Sequence, residues 1–162
     1  MNKVLLSLIV IIVFSLTANA QRISDNAIGL RLGNSSGFGT EVNYQRGIGD
    51  NNRLEFGLAW HSNNNVTNFK ITGLYQWIWI LDGNLNWYAG LGGGIGQTSF
   101  DIDFLPKNRD NEFFGFVAGD LGIEYNFDIP LLISVDFRPE LGFGDHRDDI
   151  DFDIAFGIRY QF

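Results

Sequence analysis

Eight segments of the sequence alternate between apolar and polar residues with a period of two, separated by clusters rich in Asn, Gly, Asp or Pro. Because successive side chains of a β-strand point to opposite faces, this alternation predicts strands with one apolar and one polar face. No long window keeps a helical period, so the chain is predicted to be all-β from Ala27 onward. The predicted strands are Ala27–Gly33, Gly37–Gln45, Arg53–His61, Asn68–Trp79, Leu85–Gln97, Phe113–Phe127, Leu131–Phe143 and Asp149–Phe162.

The connections between these segments alternate in length, with the short first connection as the exception. The short turns are Arg46–Asn52, Ile80–Asn84 and Asp128–Pro130, and the mostly longer polar connections are Ser62–Thr67, Thr98–Glu112 and Gly144–Asp148. An even strand number with tight turns at one end and longer loops at the other is typical of bacterial outer-membrane barrels. The sequence therefore predicts an eight-stranded closed antiparallel up-and-down transmembrane β-barrel, with both termini at the periplasmic, short-turn end.

The polar face of the predicted strands carries charges of both signs mixed with many glycines, whereas the apolar face is nearly uncharged. Alternation alone also fits a soluble barrel with its apolar face inward. However, a water-exposed face would favour Lys and Ser, whereas a narrow lumen needs small residues and opposite charges that satisfy one another. We therefore predict a charge network inside the lumen. Its residues are Arg31, Glu41, Arg53, Glu55, Asp120, Glu124, Asp136, Arg138, Asp151, Asp153 and Arg159.

Large aromatic residues lie at the strand ends next to the short turns. The predicted aromatic girdle consists of Tyr44, Trp77, Trp79, Trp87 and Tyr125. Trp and Tyr prefer membrane–water interfaces, whereas the core of a soluble protein has no reason to sort its Trp residues to one end. This distribution favours the membrane barrel.

The first 20 residues have the pattern of a secretory signal peptide. Lys3 supplies a positive charge, Val4–Leu16 an apolar stretch too short to span a membrane as a helix, and Ala18–Ala20 a small-residue cleavage site before Gln21. Residues 1–20 are therefore expected to be removed, which leaves the barrel domain at residues 21–162.

The composition excludes several classes of function. The chain has no Cys, which excludes a disulfide framework and a lipid-modified cysteine. The chain has 11 Lys and Arg residues, one of which is Lys3 of the expected signal peptide. The remaining basic residues are outnumbered by the 19 Asp and Glu residues, so the mature chain is acidic. A nucleic-acid partner is not expected, because no basic stripe is present. No cofactor motif is found either.

A glycine run, "YAGLGGGIGQ", superficially resembles a nucleotide-binding loop, but no helical pattern follows it. Gly90, Gly92, Gly94 and Gly96 share the inward face. A hairpin register that sets Gly96 opposite Phe114 also sets Gly94 opposite Phe116 and Gly92 opposite Ala118. Large inward rings over glycines are a common packing device in curved sheets, so we expect a structural role.

His61 and Ser62 are similar to the His and Ser of outer-membrane lipid A deacylases. Adjacent residues on a strand point to opposite faces, so a direct hydrogen bond between them is not expected. No acidic residue lies nearby in the sequence to orient the imidazole. We expect no catalytic residues.

The stretch from Asp145 to Asp153 gathers five Asp residues and His146, which could suit a divalent cation. The spacing of an EF-hand is absent, and alternate Asp residues also fit pairing with lumen arginines. We favour pairing and expect no metal site, with Arg138 between Asp120 and Asp151.

The connection Thr98–Glu112 keeps its alternation through Phe100, Ile102 and Phe104. It could extend the fifth and sixth strands as a protruding edge that pairs with a partner strand, or it could be a mobile polar loop. The sequence leaves both options open.

The chain resembles the small eight-stranded outer-membrane barrels, both the OmpX-like group and the barrel portion of OmpA-like proteins. The most specific match is the carboxyl-terminal assembly signal, to which Gly157, Tyr160 and Phe162 correspond, with Ala155 where a polar residue is usual. The resemblance implies insertion by the β-barrel assembly machinery into the outer membrane of a Gram-negative bacterium, among its lipids and lipopolysaccharide. We expect a non-enzymatic structural, surface-interaction or adhesion-type role through the extracellular loops, where a protein partner could bind. A lipid A-modifying acyl hydrolase or transferase and a narrow ion pore are the alternatives.

Overall fold

The structure is a computed structural model that describes residues 23–35, 38–63, 66–100, 111–143 and 150–162. It has eight β-strands that follow one another in sequence order around a closed antiparallel barrel. The strands are β1 (Asn26–Ser35), β2 (Phe38–Gly47), β3 (Asn52–Asn63), β4 (Val66–Asp82), β5 (Leu85–Phe100), β6 (Asn111–Asn126), β7 (Leu131–Phe143) and β8 (Ile150–Gln161). The predicted closed eight-stranded barrel is therefore confirmed.

The barrel closes where the first strand pairs with the last. The β1–β8 register runs from Ala27 opposite Gln161 to Leu32 opposite Phe156. Beyond β8, the Phe162 backbone N–H donates to the Asn26 carbonyl at 2.9 Å. No free sheet edge remains along this seam. A sheet surrounded by lipid requires this, because lipid cannot form hydrogen bonds with unpaired backbone groups.

The longest strands, β4, β5 and β6, form one tall side of the barrel. They have 17, 16 and 16 residues, whereas β1 and β2 have 10 each. The β4–β5 turn at the short-turn end is tight, and Gly83 there has a φ of 51°, which a glycine adopts without steric cost. At the opposite end, β5 and β6 remain paired as far as Ser99 and Asn111.

The burial pattern is the inverse of that of a water-soluble protein. Outward apolar side chains are exposed, as in Ile154 at 67% and Leu91 at 63%, whereas the inward Arg138 is 1% exposed. The strand alternation therefore places apolar side chains outside and polar side chains inside.

A small apolar cluster completes the lumen beside the charged residues. It consists of Ala59, Leu74, Phe114, Phe116 and Ala118. The predicted register is confirmed, because Ala118, Phe116 and Phe114 lie opposite three successive inward glycines of β5. A side chain on those glycines would collide with the Phe rings or with the β4 backbone.

No helix long and apolar enough to cross a membrane occurs in the part of the chain that the structure describes. The expected signal peptide and most of the Asp145–Asp153 stretch, including His146, lie outside the described residues. So do residues 101–110 of the longest connection.

Candidate functional site in the charged lumen

The inward positions of seven strands, all except β5, bring charged side chains together inside the barrel. Among the described residues, five basic and seven acidic side chains in the lumen are each at most 5% exposed. They are Arg31, Arg53, Lys70, Arg138, Arg159, Glu41, Glu55, Asp120, Glu124, Asp136, Glu140 and Asp153. The period-two pattern explains this, since every second residue of each strand faces the same narrow space.

Arg138 on β7 occupies the centre of this network. Its Nη1 donates to both oxygens of Glu41 at 3.3 Å, and its Nη2 donates to Glu55 Oε1 at 2.9 Å. Its Nε lies 3.9 Å from Asp120 Oδ1. Arg159 Nη2 approaches the other Glu55 oxygen at 3.3 Å. Two guanidinium groups therefore hold one carboxylate between them.

Arg138 was expected between Asp120 and Asp151, and this prediction is wrong for Asp151. Arg138 lies opposite Asp153, and Asp151 lies opposite Glu140. The true register differs from the expected one by two residues, which leaves every side chain on its predicted face. Alternation therefore could not distinguish the two registers. Asp151 is half-buried near the loop end of the same inward face.

Arg31 on β1 holds a second pair of carboxylates. Its Nε and Nη2 donate to Asp136 Oδ1 at 2.9 and 2.5 Å, and its Nη1 donates to Asp153 Oδ2 at 2.6 Å. This arrangement joins β1 to β7 and β8 across the closing seam. Hydrogen bonds with two charged partners are the strong type, so they favour one closed arrangement.

Further ion pairs among the described residues lie on either side of this centre. Arg53 Nη1 contacts Glu124 Oε2 at 2.7 Å, and the Arg53 guanidinium lies 4.8 Å from the ring centre of Tyr88. Lys70 Nζ donates to Glu140 at 2.8 Å. Tyr88 was missed in the sequence, although its place between outward Trp87 and Ala89 marks it as an inward residue.

The aromatic residues of the predicted girdle lie at the short-turn end. The Trp79 and Trp87 rings stack with their centres 4.4 Å apart, and the Trp77 ring lies 4.9 Å from that of Tyr75. Tyr125 packs edge-on against the next aromatic residue, Phe127. The fifth member, Tyr44, donates its hydroxyl to Asn26 Oδ1 at 2.6 Å.

The residues of the predicted assembly signal lie on β8 and just beyond it. Gly157 faces inward, where a side chain would collide with Ser134 and Arg159. Tyr160 and Phe162 face outward, are 58% and 62% exposed, and stack with their ring centres 6.3 Å apart. Together they present an exposed aromatic strip next to the seam.

His61 and Ser62 are adjacent on β3 and both are exposed. The register sets Asn68 opposite His61 and Thr67 opposite Ser62. The Ser62 hydroxyl lies 3.3 Å from that of Thr67. The strand neighbours of this pair therefore carry no carboxylate. Within the described ranges, no group of three or more His, Cys, Asp or Glu side chains could hold a metal ion.

Comparison with known proteins gave similarity only at the level of structure. No family model and no curated protein matches the sequence. The N-terminal β-barrel domain of Pseudomonas aeruginosa OprF is similar with a TM-score of 0.67 and 9% identity, over 86% of this chain and 98% of that chain.

Two further solved structures are similar. Neisserial surface protein A has a TM-score of 0.60 and 11% identity, over 85% of this chain and 94% of its own. Ail, the attachment invasion locus protein of Yersinia pestis, has a TM-score of 0.56 and 13% identity, over 86% of this chain and 97% of its own. At this identity the likeness concerns the fold, and the chain has the fold of the small eight-stranded outer-membrane β-barrels.

Proposed function

We propose that this chain is an integral outer-membrane protein of a Gram-negative bacterium that acts non-enzymatically at the cell surface, by binding or adhesion through its longer loops. The observation that carries this proposal is a barrel whose outer wall is apolar and whose lumen is filled by charged, polar and aromatic side chains. The longer loops at one end of such a barrel are then the surface that we propose meets a partner.

The height of the apolar wall supports a membrane location. Outward apolar residues on β6 extend from Phe113 to Tyr125, with 71% and 39% exposure. Twelve steps of about 3.3 Å along a strand tilted by about 40° span roughly 30 Å, which matches the hydrocarbon core of a bilayer. By resemblance, lipids and lipopolysaccharide would surround this wall, and the β-barrel assembly machinery would insert it.

The filled lumen argues against a pore. Arg138 and its carboxylate partners occupy the middle, and Phe114 and Phe116 pack over glycines nearer the loop end. An eight-stranded barrel has an interior just wide enough for its own side chains. We therefore propose that the barrel serves as a rigid support and that the loops carry the activity.

The names of the similar structures support a role at the cell surface. One is a surface protein, and another is an attachment invasion locus protein, for which a complex with the heparin analogue sucrose octasulfate is known. The longest connection of this chain has four acidic residues against Lys107 and Arg109. We therefore do not extend the sulfated ligand to this chain, because its loops would repel a polyanion.

Two experiments test the location and the role of the loops. Membrane fractionation and protease treatment of intact cells should place the protein in the outer membrane, with cleavage within residues 98–112. Expression on a non-adherent host should increase binding to a surface. Replacement of residues 101–110 by Gly and Ser should abolish that increase, whereas the same replacement of residues 48–51 at the short-turn end should not.

Equal binding by both variants would contradict the role of the long loop. The enzymatic alternative predicts an altered lipid A mass spectrum in cells that carry the protein, and an unchanged spectrum is expected here. The pore alternative predicts discrete conductance steps in a planar bilayer, whereas a filled lumen predicts none.

A further inference from the structure

Among the described residues, the fully buried charges inside the lumen do not balance. Seven carboxylates and five basic side chains lie at 5% exposure or less among the described residues. A carboxylate held away from water without a full partner is costly, and such a group commonly takes up a proton. The structure shows which carboxylate lacks a close partner.

Six of the seven carboxylates have a basic nitrogen within 3.3 Å. These are Glu41, Glu55, Glu124, Asp136, Glu140 and Asp153. Asp120 differs, because its nearest basic atom is Arg138 Nε at 3.9 Å. Neither Asp120 Oδ1 nor Arg138 Nε has a hydrogen-bond partner among the described atoms. Asp120 is therefore the least well paired acid of the network.

The surroundings of Asp120 offer little to stabilise a negative charge. On β5, Gly90 lies opposite and contributes no side chain. From β4, Gln76 donates Nε2–H to Asp120 Oδ2 at 2.5 Å, which is a neutral donor. From β7, Arg138 is already bonded to two other carboxylates on β2 and β3.

Two like charges also act on Asp120, one from β3 across the lumen and one from the neighbouring strand β7. Glu55 on β3 and Asp136 on β7 both act on it electrostatically. The hydroxyl of Tyr88 on β5 donates to Asp136 Oδ2 at 3.5 Å, so this donor serves Asp136 and not Asp120. Asp120 thus shares one cation with other acids and has two acids as neighbours.

We propose that the lumen contains a proton-binding site at Asp120, which is a neutral carboxylic acid in the folded barrel at neutral pH. The proton reduces the surplus of negative charge without a metal ion or a further basic residue. The neutral form of Asp120 can still accept the hydrogen bond from Gln76 through Oδ2.

The test compares two equivalent substitutions in the folded full-length barrel. Asn has the size of Asp and no charge, so Asp120→Asn imitates the protonated acid. Asp136→Asn is the matched control, because Asp136 is equally buried but accepts two hydrogen bonds from Arg31. Urea unfolding at neutral pH gives the ratio of folded to unfolded protein for each.

We expect the folded-to-unfolded ratio of Asp120→Asn to stay within about threefold of wild type or to rise above it. That of Asp136→Asn should fall by roughly tenfold or more, since charge-assisted hydrogen bonds are lost. Infrared spectra of the wild type should also show the carbonyl stretch of a protonated carboxyl group, and Asp120→Asn should remove it.

Either of two results would overturn the proposal. One is a loss of stability in Asp120→Asn as large as that in Asp136→Asn, which would mean that Asp120 is ionised and supported by Arg138. The other is a wild-type infrared spectrum at neutral pH without a protonated carboxyl band. The second result decides the question even if Asp120→Asn does not fold.

Discussion

Replacing Arg138 by Met should expose how much the barrel depends on its central cation. Met keeps most of the side-chain volume, so the change removes charge and hydrogen bonds with little cavity formation. Removal of one partner of a buried ion pair typically costs about 3–5 kcal/mol, because the other charge is left uncompensated. Arg138 is 1% exposed, so solvent screening does not reduce this value.

The contacts of Arg138 indicate which carboxylate is responsible for the cost. Glu55 keeps Arg159 at 3.3 Å and the amide of Gln45 at 2.6 Å after the substitution. Glu41 loses both of its hydrogen bonds from Arg138, although Arg31 remains opposite it on β1. We therefore expect a loss near the lower end, about 3 kcal/mol, that arises mainly from Glu41.

Equilibrium urea unfolding in lipid vesicles, followed by tryptophan fluorescence, measures this loss. With a slope of about 1–3 kcal/mol per molar urea, the midpoint should fall by roughly 1–3 M. Arg46→Met is the control, because Arg46 is exposed at the rim, and it should change stability by no more than about 0.5 kcal/mol. Adding Glu41→Gln to Arg138→Met should recover most of the loss.

Two results would refute this reasoning. If Arg138→Met unfolds within about 1 kcal/mol of Arg46→Met, the central network does not stabilise the barrel. If Glu41→Gln fails to recover stability in the Arg138→Met background, the loss does not come from an uncompensated Glu41.

Three further predictions concern packing, membrane position and conduction. Gly94→Val should destabilise the barrel by about 1–3 kcal/mol or more in the same unfolding assay, because the new side chain would collide with the Ile71 backbone carbonyl and with the Phe116 ring. Gly115→Ala should be nearly neutral, because Gly115 lies on the outer face and a new methyl group would come no closer than 3.9 Å to its nearest neighbour, the Gly94 carbonyl. In bilayers, fluorescence of a variant with Trp79 as its single Trp should be quenched best by lipids brominated near the headgroup, whereas a new Trp at Phe156 should be quenched best by deep bromines. Purified protein should show no conductance steps in planar bilayers, and discrete steps would mean that the lumen is open.

The fold could be predicted because the alternation of apolar and polar residues marks both the strands and the two faces of a membrane β-barrel. Each strand has only two faces, and a single period assigns both of them. The strand ends were harder to predict than the faces. For example, β4 extends to Asp82, whereas the pattern predicted an end at Trp79. There the run from Trp77 to Leu81 is continuously apolar, which hides the alternation that still places Ile78 inside at 3% exposure.

The partners inside the lumen could be predicted only as a set. Arg138 and Glu41 are 97 positions apart in sequence and lie on strands that are not neighbours. Alternation places both inside but says nothing about which charges meet across the barrel. The β7–β8 register has the same difficulty, because a shift by two residues changes every pair and no face.

The inverted burial pattern explains why the lumen has to be charged at all. A strand whose outward residues are as apolar as those of β8 would become a continuous apolar segment if its inward residues were apolar too. The mean hydropathy of zero shows how closely the polar positions offset the apolar ones. Polar inward residues then have to satisfy one another, because an eight-stranded lumen has little room for water. The arginines that join β1 to β7 and β8, and β7 to β2 and β3, follow from that requirement and at the same time hold the barrel closed.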